Sequence, residues 1–454
     1  MKRKWFPGSK LNYAENLLKY RDNRPAIHFK GEGQPTQTYS YSDLYNEVEQ
    51  LAHSLRELGV KKGDRVAGFI PNMPQAIIAM LATASIGAIW SSSSPDFGIK
   101  GVLDRFTQIE PKVIFAANGY YYNGKSFDSL DKLSNILKSL PSIEKVIIVG
   151  YSENKPQVSH IDNAVHYSEF LSTSPEPLIF EQLPFDHPLY IMYSSGTTGL
   201  PKSIVHSAGG TLIQHLKELR LHCDLSREDT IFYYTTCGRM MWNWLVSSLG
   251  LGATIVLFDG SPFYPDGNAM WYMVDELNIT IFGTSAKFID ASKEANIDPS
   301  HDADLSSLKT ILSTGSSLVE ENFDYVYSKI KQNILLASIS GGTDIVSCFA
   351  LGNPMLPVVR GELQCRGLGM DVHALDHAGH SLINEKGELA CKTAFPSMPI
   401  YFWNDPNGLK YHNAYFGLFP NIWHHGDFIQ ISEYGGVKIF GRSDATLNPG
   451  GVRI

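Results

Sequence analysis

The sequence contains little cysteine, and its cysteines are not spaced for cross-linking or metal binding. There are five in 454 residues, and no two of them form a CxxC pair. An odd, scattered set argues against a disulfide framework and against a zinc site, so a reducing cytoplasm is the expected compartment. The five positions are Cys223, Cys237, Cys348, Cys365 and Cys391.

The sequence also lacks an excess of positive charge and a long apolar run. The formal net charge is −8 at pH 7, and no run of like charges is long enough to form a tail, which argues against a nucleic-acid partner. The longest apolar stretch, residues 77–90, is too short to span a bilayer. Pro7 and Gly8 follow the basic start of the chain, where a signal peptide would have its apolar core. We therefore expect no membrane insertion.

The order of strand-like and helix-like segments predicts an α/β fold. A chain of 454 residues is too long for one hydrophobic core, so two or three subdomains are expected. Val- and Ile-rich strands alternate with amphipathic helices, which predicts mostly parallel sheets covered by helices on both faces. One of these helices is predicted over residues 41–59, with Ser42 as its N-cap. Short alternating stretches over about 351–440 predict a small antiparallel sheet or barrel.

The most informative stretch is residues 193–207, YSSGTTGLPKSIVHS. Four Ser/Thr hydroxyls and two glycines precede Lys202. The glycines allow close backbone approach, the hydroxyl and N–H groups are donors, and Lys202 adds a positive charge. A buried strand is predicted over 188–193 and a helix over 204–220, which would place this loop between a strand and a helix. The expected ligand is a polyanion.

Two other interpretations of this loop remain open. Counted from Gly196, Lys202 and Ser203 fall where a Walker A motif has its Lys-Ser, but Pro201 replaces the second glycine of that motif and removes an N–H. A Gly/Ser-rich surface loop is the other alternative, although such loops rarely continue through Pro-Lys into an apolar segment.

The loop resembles the signature loop of the adenylate-forming enzymes, which include acyl-CoA synthetases, peptide-synthetase adenylation domains and luciferases. The resemblance implies that the loop binds the β- and γ-phosphates of ATP, with Lys202 as a catalytic residue. It also implies an N-terminal adenylation domain over 1–440 and a hinge motif over 441–454. The loop residues expected to bind the nucleotide are Ser194, Ser195, Gly196, Thr197, Thr198 and Gly199.

Two further clusters match the family in chain order. Residues 313–318 form a strand end and a glycine turn that the family places against adenine, implying roles for Gly315, Ser316 and Ser317; an ordinary turn with a helix N-cap is the alternative. In the second cluster, residues 338–344, the resemblance assigns Ser338, Gly342 and Thr343 to the nucleotide, with Thr343 also catalytic.

The second cluster also contains the expected metal ligand, Asp344. Mg²⁺ takes one or two carboxylates together with phosphate oxygens and water. The family usually has an aromatic residue and a glutamate where this chain has Ser340 and Asp344, so the shorter side chain is expected to coordinate the metal through a water. The alternative for Asp344 is a helix N-cap.

A third cluster begins at residue 423 and includes a His-His pair. Asp427 stands where the family binds the ribose hydroxyls, and Arg442 and Arg453 match its phosphate-contacting arginines, with Arg442 also assigned a catalytic role. The alternatives are an ordinary turn aspartate and solvated charges. Adjacent residues on a strand point to opposite faces, so we expect His424 and His425 to pack and hydrogen-bond rather than share a metal.

Residues 5–18, WFPGSKLNYAENLL, residues 237–244, CGRMMWNW, and residues 341–344, GGTD, resemble the branch of this family that activates acetate and acetoacetate. The resemblance favours acetoacetate, ATP and CoA as substrates, with Mg²⁺ as cofactor. Gly341 stands where the acetate enzymes have a tryptophan, so the missing indole is expected to leave space for the larger acid. Another short acid, such as acetate or propionate, and a nucleotide-binding module without turnover are the alternatives. The expected acid pocket contains Arg239, Met240, Trp242, Asn243, Thr314 and Gly341.

The resemblance carries one further expectation, which concerns the end of the sequence at Ile454. Family chains continue past the hinge into a C-terminal domain with a lysine that contacts the α-phosphate and the carboxylate. We therefore expect this chain to lack that domain and to adenylate slowly. Nothing in the sequence specifies an oligomeric state.

Overall fold

The computed structural model describes residues 3–194 and 199–443. Within these ranges the chain forms thirteen α-helices, two five-residue π-helical turns at Glu218–His222 and Val326–Ile330, and a 3₁₀ turn at Ser247–Leu251. The α-helices are α1 Tyr13–Leu17, α2 Tyr41–Glu57, α3 Pro74–Ile86, α4 Ile99–Ile109, α5 Leu130–Leu137, α6 Tyr167–Phe170, α7 Ala208–Lys217, α8 Met240–Val246, α9 Ala269–Leu277, α10 Ala286–Glu294, α11 Pro299–Asp302, α12 Glu320–Tyr325 and α13 Leu409–Phe416.

The same ranges contain twenty-seven strands, numbered in chain order. They are β1 Lys10–Leu11, β2 Pro25–Gly31, β3 Gln37–Ser40, β4 Arg65–Phe69, β5 Ile89–Ser93, β6 Val113–Ala117, β7 Gly119–Tyr122, β8 Lys125–Asp128, β9 Lys145–Val149, β10 Ala164–His166, β11 Leu183–Pro184, β12 Pro188–Ser194, β13 Lys202–Ser207, β14 Thr230–Tyr233, β15 Thr254–Asp259, β16 Ile281–Ser285, β17 Thr310–Thr314, β18 Leu335–Ser338, β19 Ser340–Gly342, β20 Ser347–Leu351, β21 Cys365–Arg366, β22 Val372–Leu375, β23 Ser381–Leu382, β24 Lys386–Cys391, β25 Tyr401–Phe402, β26 Trp423–Ile431 and β27 Val437–Arg442.

Two large sheets organise the molecule. The first has eight strands in the order β10-β9-β6-β4-β5-β12-β13-β25, and the second has seven in the order β18-β17-β16-β14-β15-β2-β3. Neighbours in each are parallel except at one edge, where β13 and β25 in the first and β3 in the second run antiparallel. The mixed α/β class with mostly parallel sheets is therefore confirmed.

Helices cover both faces of both sheets. The largest hydrophobic cluster lies between the sheets and takes in α2, α3, α7 and α8, so each sheet buries one face against the same helices. The outer face of the seven-stranded sheet packs on α9, α10 and α12, and that of the eight-stranded sheet on α4 and α5. Strands buried on both faces have continuous apolar sequences such as Val113–Ala117, which explains why they could be predicted.

A third, antiparallel sheet follows in the order β23-β22-β24-β26-β27 and has its own cluster of buried side chains. The short three-stranded sheet β19-β20-β21 lies near it, since Ile345 and Phe349 belong to the same cluster. An antiparallel sheet was expected in this part of the sequence. No helix within the described ranges is long and apolar enough to cross a membrane.

Two predicted boundaries are wrong. The segment after the loop forms the strand β13, antiparallel to β12, and α7 starts only at Ala208, where the Ser207 hydroxyl accepts a hydrogen bond from Gly210 N at 3.1 Å. The loop therefore joins two strands of a hairpin. The N-cap of α2 is Ser40 rather than Ser42, because Ser40 and Asp43 form a reciprocal capping box.

Candidate active site

Lys202 lies at the start of β13, opposite Ser194 at the end of β12. Its ammonium Nζ is 2.9 Å from Oδ1 of Asp344, so the cation expected to bind phosphate is paired with the carboxylate expected to bind metal. The hydroxyl of Tyr415 donates to the same Oδ1 at 2.5 Å. These three side chains come from β13, the turn after β19, and α13, and they form the centre of the candidate site.

The Lys202–Asp344 pair is largely shielded from solvent, with 29% of the lysine and 16% of the aspartate side chain exposed. Burial opposes ionisation of Asp344, but the positive charge of Lys202 and the Tyr415 hydroxyl outweigh it, so the pKa of Asp344 lies below its usual value. Asp344 is therefore a carboxylate at neutral pH, as a metal ligand must be.

The two glycines before Thr343 have different surroundings. A Cβ added at Gly341 would lie 1.9 Å from the backbone oxygen of Ser347 on the neighbouring strand β20, whereas a Cβ at Gly342 would meet no atom within 4 Å. The expectation that Gly341 leaves space in an acid pocket is wrong, because its side-chain direction is filled by the hairpin backbone. Gly342 is the position that faces open space.

Two buried histidines support the β19–β20 hairpin from β13 and α7. His206 donates from Nε2 to the carbonyl of Thr343 at 2.9 Å, and His215 contacts the Val346 carbonyl through Nε2 and the Ser247 hydroxyl through Nδ1. Burial lowers the pKa of His206 to about 3 and that of His215 to about 4. Both rings are thus neutral hydrogen-bonding groups and carry no charge at neutral pH.

The expected adenine turn follows β17 at the carboxyl end of the seven-stranded sheet, where ligands of open α/β sheets bind. Gly315 adopts φ +90°, which permits the sharp exit from the strand, and Ser316 and Ser317 are exposed. Thr314 donates to the carbonyl of Ile339 at 3.1 Å, and Ser317 donates to the carbonyl of Ile439 on β27 at 2.7 Å. Ser338 ends β18 and pairs with Ser313 of β17. The turn is thus hydrogen-bonded both to the segment that follows β18 of the seven-stranded sheet and to β27 of the antiparallel sheet.

The third cluster lies on β26 and β27. Asp427 pairs with Arg442 across the two strands, and the guanidinium Nη1 is 3.6 Å from Asp427 Oδ1. His425 Nε2 is 3.7 Å from Asp427 Oδ2, while His424 contacts Glu388 at 2.9 Å. The two histidines therefore have separate partners, as predicted, and the described residues hold no cluster of three His, Cys, Asp or Glu side chains suited to a metal.

The residues expected to line the acid pocket do not surround a common cavity in this structure. Trp242 is fully buried in the central core, where its Nε1 donates to Asn72 Oδ1 at 3.0 Å, so its assignment to a substrate pocket stays a prediction. Met240 also packs in that core. Arg239 precedes α8 as its N-cap and is exposed. Asn243 alone borders a cavity, with its amide 3.5 Å from the Met192 sulfur and 3.4 Å from the Arg239 carbonyl.

That cavity lies between α8 and the eight-stranded sheet. Its volume is about 10 Å³, and Trp90, Ser92, Met192, Cys237 and Asn243 are among the residues around it. A volume of this size holds about one water molecule. An acid with several heavy atoms can enter only if these walls move.

The residues present suit a metal-bound nucleotide. Several polar atoms near the proposed site are buried without a hydrogen-bond partner among the described residues, namely Ser194 Oγ, Ser203 Oγ, Ser313 Oγ, His206 Nδ1 and His425 Nδ1. Atoms of this kind also occur elsewhere in the described residues, such as Trp271 Nε1 and Ser248 Oγ, so they can accommodate an external partner without singling out this site. One carboxylate, one ammonium and these atoms match the needs of Mg²⁺ with phosphate oxygens.

Sequence reasoning missed Tyr415 and His206. Tyr415 is in the aromatic segment Leu409–Phe416, whose composition is that of an ordinary packing helix, and 71 residues separate it from Asp344. No local signal identifies that contact. The predicted site residues Ser195, Gly196, Thr197, Thr198 and Arg453 lie outside the described residues.

Comparison with known proteins gives a consistent result. Residues 14–401 match the AMP-binding enzyme family. The chain is 52% identical to an acetoacetyl-CoA synthetase of Danio rerio, covering 99% of this chain and 68% of that protein. It is 53% identical to an acetoacetyl-coenzyme A synthetase of Rhizobium meliloti (strain 1021), covering 99% and 69%.

A solved structure agrees with these matches. The fold is similar to that of an acetoacetyl-CoA synthetase from Streptomyces lividans, with a TM-score of 0.93 and 46% identity. That match covers 98% of this chain and 69% of the solved one.

Proposed function

The chain belongs to the AMP-binding enzyme family, and from that premise we propose that it is an acid–thiol ligase that activates acetoacetate with ATP and transfers the acyl group to CoA. The observation that carries the proposal is the Lys202–Asp344 pair at the loop end of the β12–β13 hairpin. It places one cation and one carboxylate beside a loop whose composition is suited to phosphate. The names of the relatives support acetoacetate as the acid.

The proposed reaction has two halves. The carboxylate of the acid attacks the α-phosphorus of ATP and pyrophosphate leaves; the CoA thiol then attacks the acyl carbon and AMP leaves. A carboxylic acid is already ionised at pH 7, so the first half needs no general base. The protein accelerates it by holding the reactants in line and by stabilising charge on the phosphates.

Each part of the nucleotide has a proposed partner. Lys202 neutralises the outer phosphates, and Asp427 accepts hydrogen bonds from the ribose hydroxyls. Arg442, on the neighbouring strand β27, contacts phosphate. Asp344 would hold Mg²⁺, which supplies positive charge against the departing pyrophosphate. The remaining proposed nucleotide contacts are Ser194, Gly199, Gly315, Ser316, Ser317, Ser338, Gly342 and Thr343.

The acid would be recognised on the α8 side. Asn243 borders the small cavity and Arg239 is exposed at the start of the helix, so these two are the proposed donors to the keto oxygen. A buried keto oxygen left unpaired costs about 1 to 3 kcal/mol, which makes such a donor necessary. A cytoplasmic location belongs to the same proposal and is supported by the five free cysteines.

The test is acid-dependent exchange of labelled pyrophosphate into ATP. Acetate, propionate, acetoacetate and an acid-free control are assayed with Mg²⁺. We expect exchange to be fastest with acetoacetate. Faster exchange with acetate or propionate would reassign the acid, and ATP binding with no exchange for any acid would leave a nucleotide-binding module.

A further inference from the structure

Asp344 receives two hydrogen bonds on a single oxygen. Lys202 Nζ and the Tyr415 hydroxyl both contact Oδ1, at 2.9 and 2.5 Å, and no hydrogen bond from the described residues reaches Oδ2. The carboxylate is thus held from one side, and its second oxygen is available to a ligand.

The position of Tyr415 is fixed by packing. Its ring stacks on Trp423 at 3.8 Å between centroids and 15° between planes, and meets the edges of Phe402 and Tyr411 at 5.7 and 5.2 Å. The residue is 2% exposed. A carboxylate oxygen only accepts hydrogen bonds, so the Tyr415 hydroxyl is the donor in its contact with Asp344.

The ammonium of Lys202 has three N–H donors, and phosphate oxygens compete with Asp344 for them and for its charge. To the extent that Lys202 turns to phosphate, Asp344 loses its cation and one of its two hydrogen bonds. Tyr415 does not depend on the ligand, because its ring is held by Trp423, Phe402 and Tyr411. It is then the remaining donor to Oδ1.

We propose that Tyr415 is a positioning residue of the nucleotide site: its hydroxyl holds Asp344 in the orientation that accepts the metal while Lys202 moves to the phosphates. This rests on the proposed function for the ligand, Mg²⁺ with ATP.

The test compares Tyr415→Phe with Tyr411→Phe. Tyr411 lies one turn earlier on α13 in the same aromatic cluster, but its hydroxyl donates to the carbonyl of Pro399 at 2.9 Å. Both variants lose one hydroxyl and keep the ring. Calorimetric titrations measure the affinity of each for ATP with Mg²⁺, for ATP in EDTA and for AMP, and thermal unfolding compares their stability.

We expect Tyr415→Phe to weaken ATP binding about tenfold in Mg²⁺, the usual effect of losing a hydrogen bond to a charged group. Binding of AMP, and of ATP in EDTA, should change by less than about twofold. Tyr411→Phe should leave all three affinities unchanged, and the two variants should unfold at similar temperatures.

A double-mutant cycle with Asp344→Asn provides a second measurement. In the Asp344→Asn background, Tyr415→Phe should cause no further loss of ATP affinity in Mg²⁺. Additive losses would overturn the proposal, as would an equal loss for AMP, an equal loss in EDTA, or a Tyr415→Phe variant that does not fold. If the parent chain binds ATP with Mg²⁺ but shows no pyrophosphate exchange for any acid, the proposed ligase activity is refuted and the proposed role of Tyr415 is kept. If the parent chain does not bind ATP, both proposals are refuted.

Discussion

The nucleotide side and the acid side of the candidate site differ in how far they are formed. On the nucleotide side Lys202, Asp344 and Tyr415 contact one another, and several buried polar atoms await a partner. On the acid side α8 packs into the central core and leaves a cavity of about 10 Å³. The residues proposed for phosphate and metal are therefore already in contact, whereas the cavity beside Asn243 is too small for an acid of several heavy atoms.

The difference follows from where the residues lie. The nucleotide residues are at strand ends and hairpin turns, where the ends of parallel strands leave polar groups available. The acid-side residues are on a short helix between two sheets, where side chains fill the space. Mutations on the nucleotide side should therefore have large, specific effects, and those on the acid side small ones.

The largest expected effect is on stability at low pH, through the histidines behind the nucleotide side. His206 and His215 have pKa values of about 3 and about 4 in the folded chain, below the usual value near 6.5. Their contribution is present above pH 6.5 and is lost as pH falls toward the folded values. Each should reduce the free energy of unfolding by about 1.4 kcal/mol per pH unit below 6.5.

Urea unfolding between pH 7 and pH 4.5 measures this loss. His206→Gln cannot take up a proton, so its stability should fall less steeply with pH than that of the parent chain. Identical slopes for the two proteins would show that His206 is not protonated on unfolding.

The next largest expected effect is on the stability of the chain when Gly341 or Gly342 is replaced by alanine. Gly341→Ala should lower the free energy of unfolding by about 3 kcal/mol, because its Cβ would meet the Ser347 backbone oxygen at 1.9 Å. Gly342→Ala, which has open space, should cost less than about 1 kcal/mol. Urea unfolding of the two variants measures these free energies. Similar losses of stability for both variants would contradict the described β19–β20 hairpin.

Lys202→Ala should weaken ATP binding about 30-fold in calorimetric titrations, because a charge-assisted contact with phosphate is lost. AMP lacks the outer phosphates, so its affinity should change by less than about twofold. Equal losses for ATP and AMP would assign Lys202 to the fold rather than to the ligand.

Asp427→Ala should weaken ATP and AMP alike, by about tenfold, since both contain the ribose that Asp427 is proposed to bind. Calorimetry with the two nucleotides tests this. An unchanged affinity for AMP would remove Asp427 from the site.

The smallest effect belongs to the acid side. Asn243→Ala should lower kcat/KM for acetoacetate about fivefold and leave that for acetate unchanged, because only acetoacetate has a keto oxygen. Pyrophosphate exchange with each acid gives the ratio. Equal losses for both acids would show that Asn243 acts through packing.

Much of the fold could be predicted because local patterns determine it. Parallel strands such as Val113–Ala117 have continuous β-branched and apolar sequences, and the strand before the phosphate loop was predicted within a residue of its limits. The start of β13 could not be predicted, because its sequence KSIVHS has only two apolar residues, too few to distinguish a strand from the start of a helix.

The candidate site could be predicted only in part. The roles of Lys202 and Asp344 toward phosphate and metal stay predictions, and their direct contact could not be predicted because it spans 142 positions and depends on tertiary packing. Gly341 was misassigned because a sequence does not show which way a missing side chain would point. No local sequence signal identifies Tyr415, because its contact with Asp344 depends on the stacking of its ring on Trp423.

The hydrogen bond from Ser317 to Ile439 has a consequence for motion. Ser317 belongs to the turn after β17 of the seven-stranded sheet, and Ile439 to the edge strand β27 of the antiparallel sheet. A rotation of the antiparallel sheet away from the seven-stranded sheet would have to break this bond. Because β27 also pairs with the strand that carries Asp427, the proposed adenine and ribose contacts would be displaced in the same movement. Relative motion of these two sheets would therefore change the distance between Ser317 and Asp427, the residues proposed for adenine and ribose.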